Sequence, residues 1–512
     1  MRKRVFNILT KPLLTALCLS ALVGCSSVVD DENEVVGVPS NTSTFINLTI
    51  GISNGRDVDT RAGEVPAAGE NGDGREAGFL RENAVTGITL ILYQDNNGIN
   101  GADATTLDFV NYYTVSRVGD PLPANGTDLG KSKVIEAYYT TGNQPLRKSD
   151  VDFTKSYHAI VVANADLRGM VNTLGDVKNY KLNSLYSGTE MSAASECSGF
   201  VMSSEQDYTM NFATTTPTDY SGGLLYTFTN LIIERMAARI DFWSACSNGY
   251  KTSADNAAYT TPGYEYTVEG GTDKFVVTGI TPFNLNAGNV TNGGEYLIKR
   301  LADEIKETPT ITYLADESGT NYVLDPATRT KVDGELTYMK NRLASFGDLS
   351  TLTTLTANGY YKSVASLHSA VTASGSTAGY PTYTEGTLKG ENVIITYPME
   401  NTLWGASRLF NFATGIAVEG DYYTNGAGTP QHRIYYGYMR HQGTSSSSYT
   451  AKLGADMSTT EASTSANCME FGIVRNNIYR VYISRIGKTE GDITIHIKVK
   501  KWDIFEHAPI YM

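Results

Sequence analysis

Ile493-Thr494-Ile495-His496-Ile497-Lys498-Val499-Lys500 alternates without a fault between β-branched and polar residues. Successive side chains of a strand point to opposite faces, so this stretch predicts a strand with one aliphatic face and one polar, basic face. Trp502 follows, and Ile504 to Met512 close the sequence, so nothing downstream is expected to lock the strand into its own domain. Eight extended residues reach about 26 Å, enough to run the length of a small sheet. The pattern leaves two readings open: an edge strand of its own sheet, or a ribbon that docks on another molecule. In the second, Lys498, Lys500 and Lys501 would face solvent or an acidic neighbour.

The opposite end of the chain repeats the pattern. Ile46, Leu48, Ile50 and Ile52 alternate with Asn47, Thr49 and Gly51, again a strand with one buried face. Asn54 to Gly78 is rich in Gly, Asp, Glu, Asn and Ala, has no apolar period, and contains Asp57-Val58-Asp59-Thr60-Arg61-Ala62-Gly63. A strand joined to its domain by a flexible, arginine-containing loop could be cut away; an ordinary first strand and long loop fits the pattern as well.

Between these ends, strands are expected at Gly87 to Tyr93, Tyr157 to Ala163, Phe200 to Met202, Leu224 to Phe228, Ala238 to Trp243 and Lys274 to Ile280. Others are expected around Ile394 to Tyr397, Arg433 to Met439 and Ile478 to Ile483. Helical spacing appears at Leu297, Leu301 and Ile305 and over Tyr361 to Ala373. The shift in composition at Asn284 to Gly294 predicts a domain boundary, and Gly443 to Ala466 an exposed Ser/Thr/Ala loop. With 19% charged residues, 49 Gly and 33 Tyr, the chain has a β-rich extracellular composition.

Arg2, Lys3 and Arg4 precede an apolar run from Pro12 to Gly24, too short to span a bilayer, that ends in Leu22-Val23-Gly24-Cys25. Small residues before a cysteine resemble the bacterial lipobox, which implies lipidation of Cys25 and loss of residues 1–24. That leader carries four basic and no acidic residues, so the formal charge moves from −13 to −17. So acidic a chain has no basic stripe for nucleic acid. Cys197, Cys246 and Cys468 are odd in number and far apart, which argues against a disulfide framework.

No short motif supports an enzyme. His158, His368, His496 and His507 are isolated, and His432 and His441 have no acidic i+4 partner. There is no H-E-x-x-H, no G-x-S-x-G and no phosphate-binding glycine loop. Asp95-Asn96-Asn97-Gly98 reads as a hairpin turn, since no Glu closes a twelve-residue calcium loop, and Asp303-Glu304 as a solvated helix face. No catalytic residue, metal site or cofactor is expected. Tyr360-Tyr361, Tyr422-Tyr423 and Tyr435-Tyr436 serve equally as strand packing or as a glycan platform.

Val474-Arg475-Asn476-Asn477-Ile478-Tyr479-Arg480-Val481-Tyr482-Ile483-Ser484 resembles the C-terminal motif of the Bacteroidetes fimbrillins, the type V pilins. Ile497 to Trp502 is similar to their closing strand, and Ile233-Glu234-Arg235-Met236-Ala237-Ala238-Arg239-Ile240 to an Arg-x-Ala-x-Arg strand of the first domain. Within the family the similarity is greatest to shaft subunits of the short, Mfa-type fimbriae. The resemblance implies a mainly β fold of two tandem antiparallel, transthyretin-like sandwiches with a few short helices. It sets the limits at 1–24 for the leader, 25–61 for the removed tether and strand, 62–290 and 291–490 for the domains, and 491–512 for the donor segment.

It further implies a lipoprotein precursor at the outer membrane whose first strand, Ile46, Leu48, Ile50 and Ile52, departs when an arginine-specific surface protease cuts between Arg61 and Ala62. Arg56 is a second candidate, and Arg75 and Arg81 are weaker ones. Another copy's Ile493, Ile495, Ile497, Val499 and Trp502 would take its place in an adhesive surface fimbria. The partners implied are further copies of the chain, anchor and tip subunits, and a host or bacterial receptor. Two other roles stay open: an anchor or tip of the same family, and a surface glycan-binding lipoprotein.

Overall fold

The computed structural model describes residues 43–52, 75–77, 79–118, 138–182, 199–204, 206–285, 295–298, 353–373, 378–400, 414–439, 448–451, 473, 475–489 and 493–503. Alternating and continuous apolar runs both form strands. In chain order these are β1 (Thr44–Ile52), β2 (Arg75–Ala77), β3 (Gly87–Tyr93), β4 (Leu107–Thr114), β5 (Ser116–Val118) and β6 (Tyr138–Thr140). Next come β7 (Gln144–Pro145), β8 (Ser156–Ala163), β9 (Met202–Ser204) and β10 (Gly223–Arg235). All but β2 join one sheet, ordered β4-β3-β8-β9-β10-β1-β6-β5, with β7 also on β1. All seven residues of β3 are buried, so both its faces are covered. The sheet curls until Ile46, Leu48 and Ile50 of β1 share one apolar cluster with Ile88, Leu90 and Val161 of β3 and β8.

The chain leaves this sheet at Met236-Ala237-Ala238. Ala238 N–H donates to Pro398 O (3.0 Å) and Ala237 O accepts from Asn476 N–H (2.8 Å). Beyond lie β11 (Arg239–Trp243), β12 (Gly263–Thr267), β13 (Lys274–Phe283), β14 (Gly379–Glu385), β15 (Leu388–Thr396), β16 (Gly415–Tyr423), β17 (Gln431–Tyr438), β18 (Ser448–Ala451), β19 (Asn477–Ile486) and β20 (Ile493–Asp503). A second sheet runs β2-β20-β19-β11-β15-β14, with β18 also on β20, and a third contains β12-β13-β16-β17. Ile240, Val393, Val481 and Ile495 of the second meet Tyr264, Val277, Val418 and Tyr435 of the third in one cluster. Two sheets facing each other over a shared core make a sandwich. The helix Val364–Thr372, capped where Ser363 Oγ accepts from Ser366 N–H (3.2 Å), adds Val364, Leu367 and Val371 to it.

The chain passes between sheets at 236–238, ahead of the composition shift at Asn284 to Gly294: β13 ends at Phe283 and pairs with β12 and β16. A polar, Gly-rich stretch marks a connection, whereas this crossing is made in buried Met and Ala. One expectation changes: the Ser/Thr/Ala loop contains a strand, since β18 pairs with Ile493 to His496. Of the spacing Leu297, Leu301 and Ile305, Leu297 follows a short strand, Glu295–Tyr296; the other two lie outside the described residues. No helix among the described residues is long and apolar enough to cross a membrane.

Candidate assembly site

β1 lies inside its sheet. Along β10 it runs parallel, from Thr44 opposite Leu224 to Ile52 opposite Ile233. On its other edge it runs antiparallel to β6 and β7, with Ile50 opposite Tyr139 and Ile46 opposite Gln144. Thr229 and Asn230 of β10 oppose Thr49 alone, a bulge in which Asn230 takes φ +62°, a left-handed conformation that asparagine tolerates. Gly223 allows the close approach at the start: a Cβ there would stand 1.9 Å from Ser43 O.

The alternation read from the sequence is the alternation seen. Ile46, Leu48, Ile50 and Ile52 are buried, and Asn47 and Thr49 lie on the less covered face. Burial of the four aliphatic side chains contributes roughly 6–12 kcal/mol, an upper figure because unfolded chains already hide some surface. Neutral hydrogen bonds fix the register. Asn47 Nδ2 donates to Asn143 Oδ1 (3.0 Å), Thr140 Oγ1 to Asn47 Oδ1 (2.8 Å), and Leu48 N–H to Thr141 Oγ1 (3.0 Å).

β20 is seated as well, in its own subunit. It forms a hairpin with β19, from Ile486 opposite Ile493 to Asn477 opposite Lys501. On its other edge β18 pairs with Ile493 to His496 and β2, in parallel, with Lys501 to Asp503. Ile493, Ile495 and Ile497 are buried in the sandwich core. For Val499 and Trp502 the structure gives the strand position alone.

Within its own chain the basic face of β20 is partly covered, with Lys500 buried and Lys498 half-buried. In a flat sheet β14 and β20 would stand about 19 Å apart, four strand spacings. Yet Glu385 of β14 takes Lys498 Nζ at 2.5 Å and Lys500 Nζ at 3.0 Å, so the β14–β15 hairpin folds over the outer face. Tyr383 lies on Arg480 (4.0 Å, guanidinium to ring centroid) and meets Trp243 edge-on at 5.4 Å. Partial burial alone would push the Glu385 carboxyl up; the two lysines outweigh it and hold the group below the usual glutamate range.

Between these strands lies a group of residues whose burial sequence reasoning missed. Arg235, Arg239, Arg475 and Arg480 are fully buried with Glu82, Glu234, Asp241 and Glu400. Asp241 takes Arg239 through two hydrogen bonds of 2.8 Å and Arg480 Nη2 at 2.9 Å. Asn392 bridges the same pair, donating to Asp241 Oδ2 (3.0 Å) and accepting from Arg480 Nε (2.8 Å). Glu82 receives Tyr397 OH at 2.5 Å and stands 3.3 Å from Arg239, while Arg475 Nε donates to Glu400 Oε2 at 2.9 Å. Four cations and four anions balance, as buried charges must. The signal was present: arginines inside strand-like motifs, in a chain with few charges.

Cys25, Arg56, Arg61, Ala62, Cys197, Asp303, Glu304, His441, Cys468 and His507 lie outside the described residues. The Asp95 carboxylate is occupied within its turn, accepting from Asn97 N–H (2.9 Å) and Thr105 Oγ1 (2.8 Å). Tyr422, Tyr423, Tyr435 and Tyr436 are buried, so these pairs serve packing and offer no exposed platform. His158 pairs with Asp207 at 2.9 Å and His368 with Glu391 at 2.8 Å, each beside a tyrosine.

No protein-family model matches the sequence, and no curated protein does. Among solved structures, the chain is similar to a candidate cell adhesion protein of Parabacteroides distasonis (13% identity, TM-score 0.39, 91% of this chain and 98% of that one). It is also similar to two proteins of Porphyromonas gingivalis. One is the fimbrilin FimA (13% identity, TM-score 0.35, 91% and 99%) and the other the tip fimbrial protein Mfa3 (11%, 0.34, 90% and 99%).

Proposed function

We propose that this chain is a structural subunit of a surface fimbria and that it assembles by strand replacement. The observation that carries this reading is the match between its two end strands. β1 fills an interior slot with aliphatic residues at alternate positions, Ile46, Leu48, Ile50 and Ile52. The C-terminal segment has the same period at Ile493, Ile495, Ile497 and Val499. Proteolysis between Arg61 and Ala62 would leave β1 held by non-covalent contacts alone. Its departure would open an apolar slot edged by the unpaired backbone of β10, β6 and β7, a template for an incoming strand. The segment 491–512 of another copy, with Trp502, supplies that strand.

In this scheme the precursor is exported as a lipoprotein through Cys25, and the lipid leaves with the removed segment. The subunit does no chemistry of its own and supports adhesion through the filament it builds, together with anchor and tip subunits.

One observation favours a second reading within the same class. With β1 and β20 both seated, the uncut chain is complete in itself, as an anchor that keeps its lipid and first strand would be. Arg-specific cleavage of purified protein separates the two. A shaft subunit sheds the peptide containing β1 and forms ladders of oligomers that resist mild detergent. Protein that has shed β1 and stays monomeric at high concentration defeats the shaft reading. A protein from cells whose residues 25–61 are intact by mass spectrometry is the anchor.

A further inference from the structure

We propose that the β14–β15 hairpin is a strap, and that Glu385 at its tip clips the C-terminal strand to its own subunit and sets how readily that strand leaves. The inference deepens the assembly reading and rests on it, because it treats 491–512 as the segment exchanged.

Lys498 and Lys500 are two residues apart on β20 and so project from one face, and a single carboxylate binds both. Gly386, at φ +59°, turns the chain just beyond Glu385 and places the carboxylate at the hairpin's end. Lys500 is almost fully buried, while Lys498 and Glu385 keep about a quarter of their side-chain surface in water (23% and 26%). The site is thus accessible to salt, unlike the arginine junction beneath it.

The charge balance makes the clip conditional. The Lys500 ammonium and the Arg480 guanidinium converge on Tyr383, and Asp241, which pairs with Arg480, already serves Arg239. Without Glu385 the seat of β20 becomes repulsive, since no described carboxylate other than Glu385 pairs with the two lysines. On the same face Tyr482 stacks on His496 at 5.0 Å.

The test is hydrogen exchange of the uncut, full-length chain, comparing wild type with Glu385→Gln in about 50 mM and about 1 M NaCl, where screening lengths differ several-fold. Peptides covering Ile493 to Asp503 should exchange about fivefold to tenfold faster in the variant at low salt. Wild type should approach the variant at high salt, and peptides of β1 should be unchanged in both. The double exchange Glu385→Lys with Lys498→Glu rebuilds an opposite-charge pair and should restore slow exchange. Equal exchange of the two proteins at both salts overturns the clip, as does an equal rise in β1, which reports general loosening. The readout precedes any assembly, so cut protein that fails to polymerise counts against the assembly reading and leaves the clip standing.

Discussion

The first strand and the last are built on one period and held by different forces. β1 has one long parallel neighbour, two short antiparallel ones, and a neutral polar face fixed by Asn47, Thr140 and Thr141. β20 has a hairpin partner along nearly its whole length and a charged face under the β14–β15 strap. β1 is therefore retained by apolar burial, which salt hardly weakens, and β20 by burial together with ion pairs, which salt screens. The strand proposed to leave for good depends on a covalent loop; the one proposed to move between copies carries a contact that ionic conditions can loosen.

The sharpest way to break this comparison is to remove each strand. Deleting Gly491 to Met512 strips Ile493, Ile495 and Ile497 from the sandwich, a loss of about 4.5–9 kcal/mol against a typical total of about 5–15. The truncated chain should unfold at much lower urea or fail to fold. Wild-type stability would place these isoleucines outside their own core. A chain starting at Ala62 should suffer comparably and recover when a synthetic peptide of Ser43 to Ser53 is added.

Next in size is Asp241→Ala, which leaves Arg239 and Arg480 with an uncompensated buried charge and should cost about 3–5 kcal/mol in chemical denaturation. Smaller is Asn47→Ala, which removes the hydrogen bonds to Asn143 and Thr140. A loss of about 1 kcal/mol, with faster release of β1 after cutting, is expected in peptide-release kinetics. An effect on β20 exchange as large as that on β1 would contradict the separate retention of the two strands.

The smallest effect is one of pH. The groups facing Glu385 are Lys498, Lys500 and Tyr383, whose hydroxyl donates to Glu385 Oε2 at 3.2 Å. Its carboxyl lies below the usual range in the folded chain, so its contribution is complete above the ordinary glutamate pKa and fades as pH falls through the lowered one. The protection of β20 relative to the intrinsic amide exchange rate at each pH should therefore fall in wild type on acidification through that window, and less so in Glu385→Gln.

Legibility in the sequence followed physical simplicity. Alternation at 46–52 and 493–499 marked both end strands because one face of each is apolar, and Gly87 to Tyr93 was legible as a strand, while the burial of both its faces came from the structure. The strap was not legible, because Gly379 to Glu385 is a polar strand whose importance comes from folding over a face four strands away. Nor was the junction, since Arg239 meets Glu82, Arg475 meets Glu400 and Arg480 meets Asp241 only in the fold, each pair being far apart in sequence. The crossing at 236–238 was hidden for a related reason: loops announce themselves by polarity, and this one is apolar.

Three residues of β2 carry a last implication. Arg75 to Ala77 lie in parallel beside Lys501 to Asp503, so the front of a trimmed chain and its tail share one seam. Cleavage at Arg61 spares that seam, whereas cleavage after Arg75 removes the residue opposite Lys501 and leaves Glu76 and Ala77 at the new N-terminus. In the proposed maturation the choice of arginine therefore sets how long a seam the trimmed chain keeps with its own tail, and sequencing the new N-terminus of cut protein reads that choice.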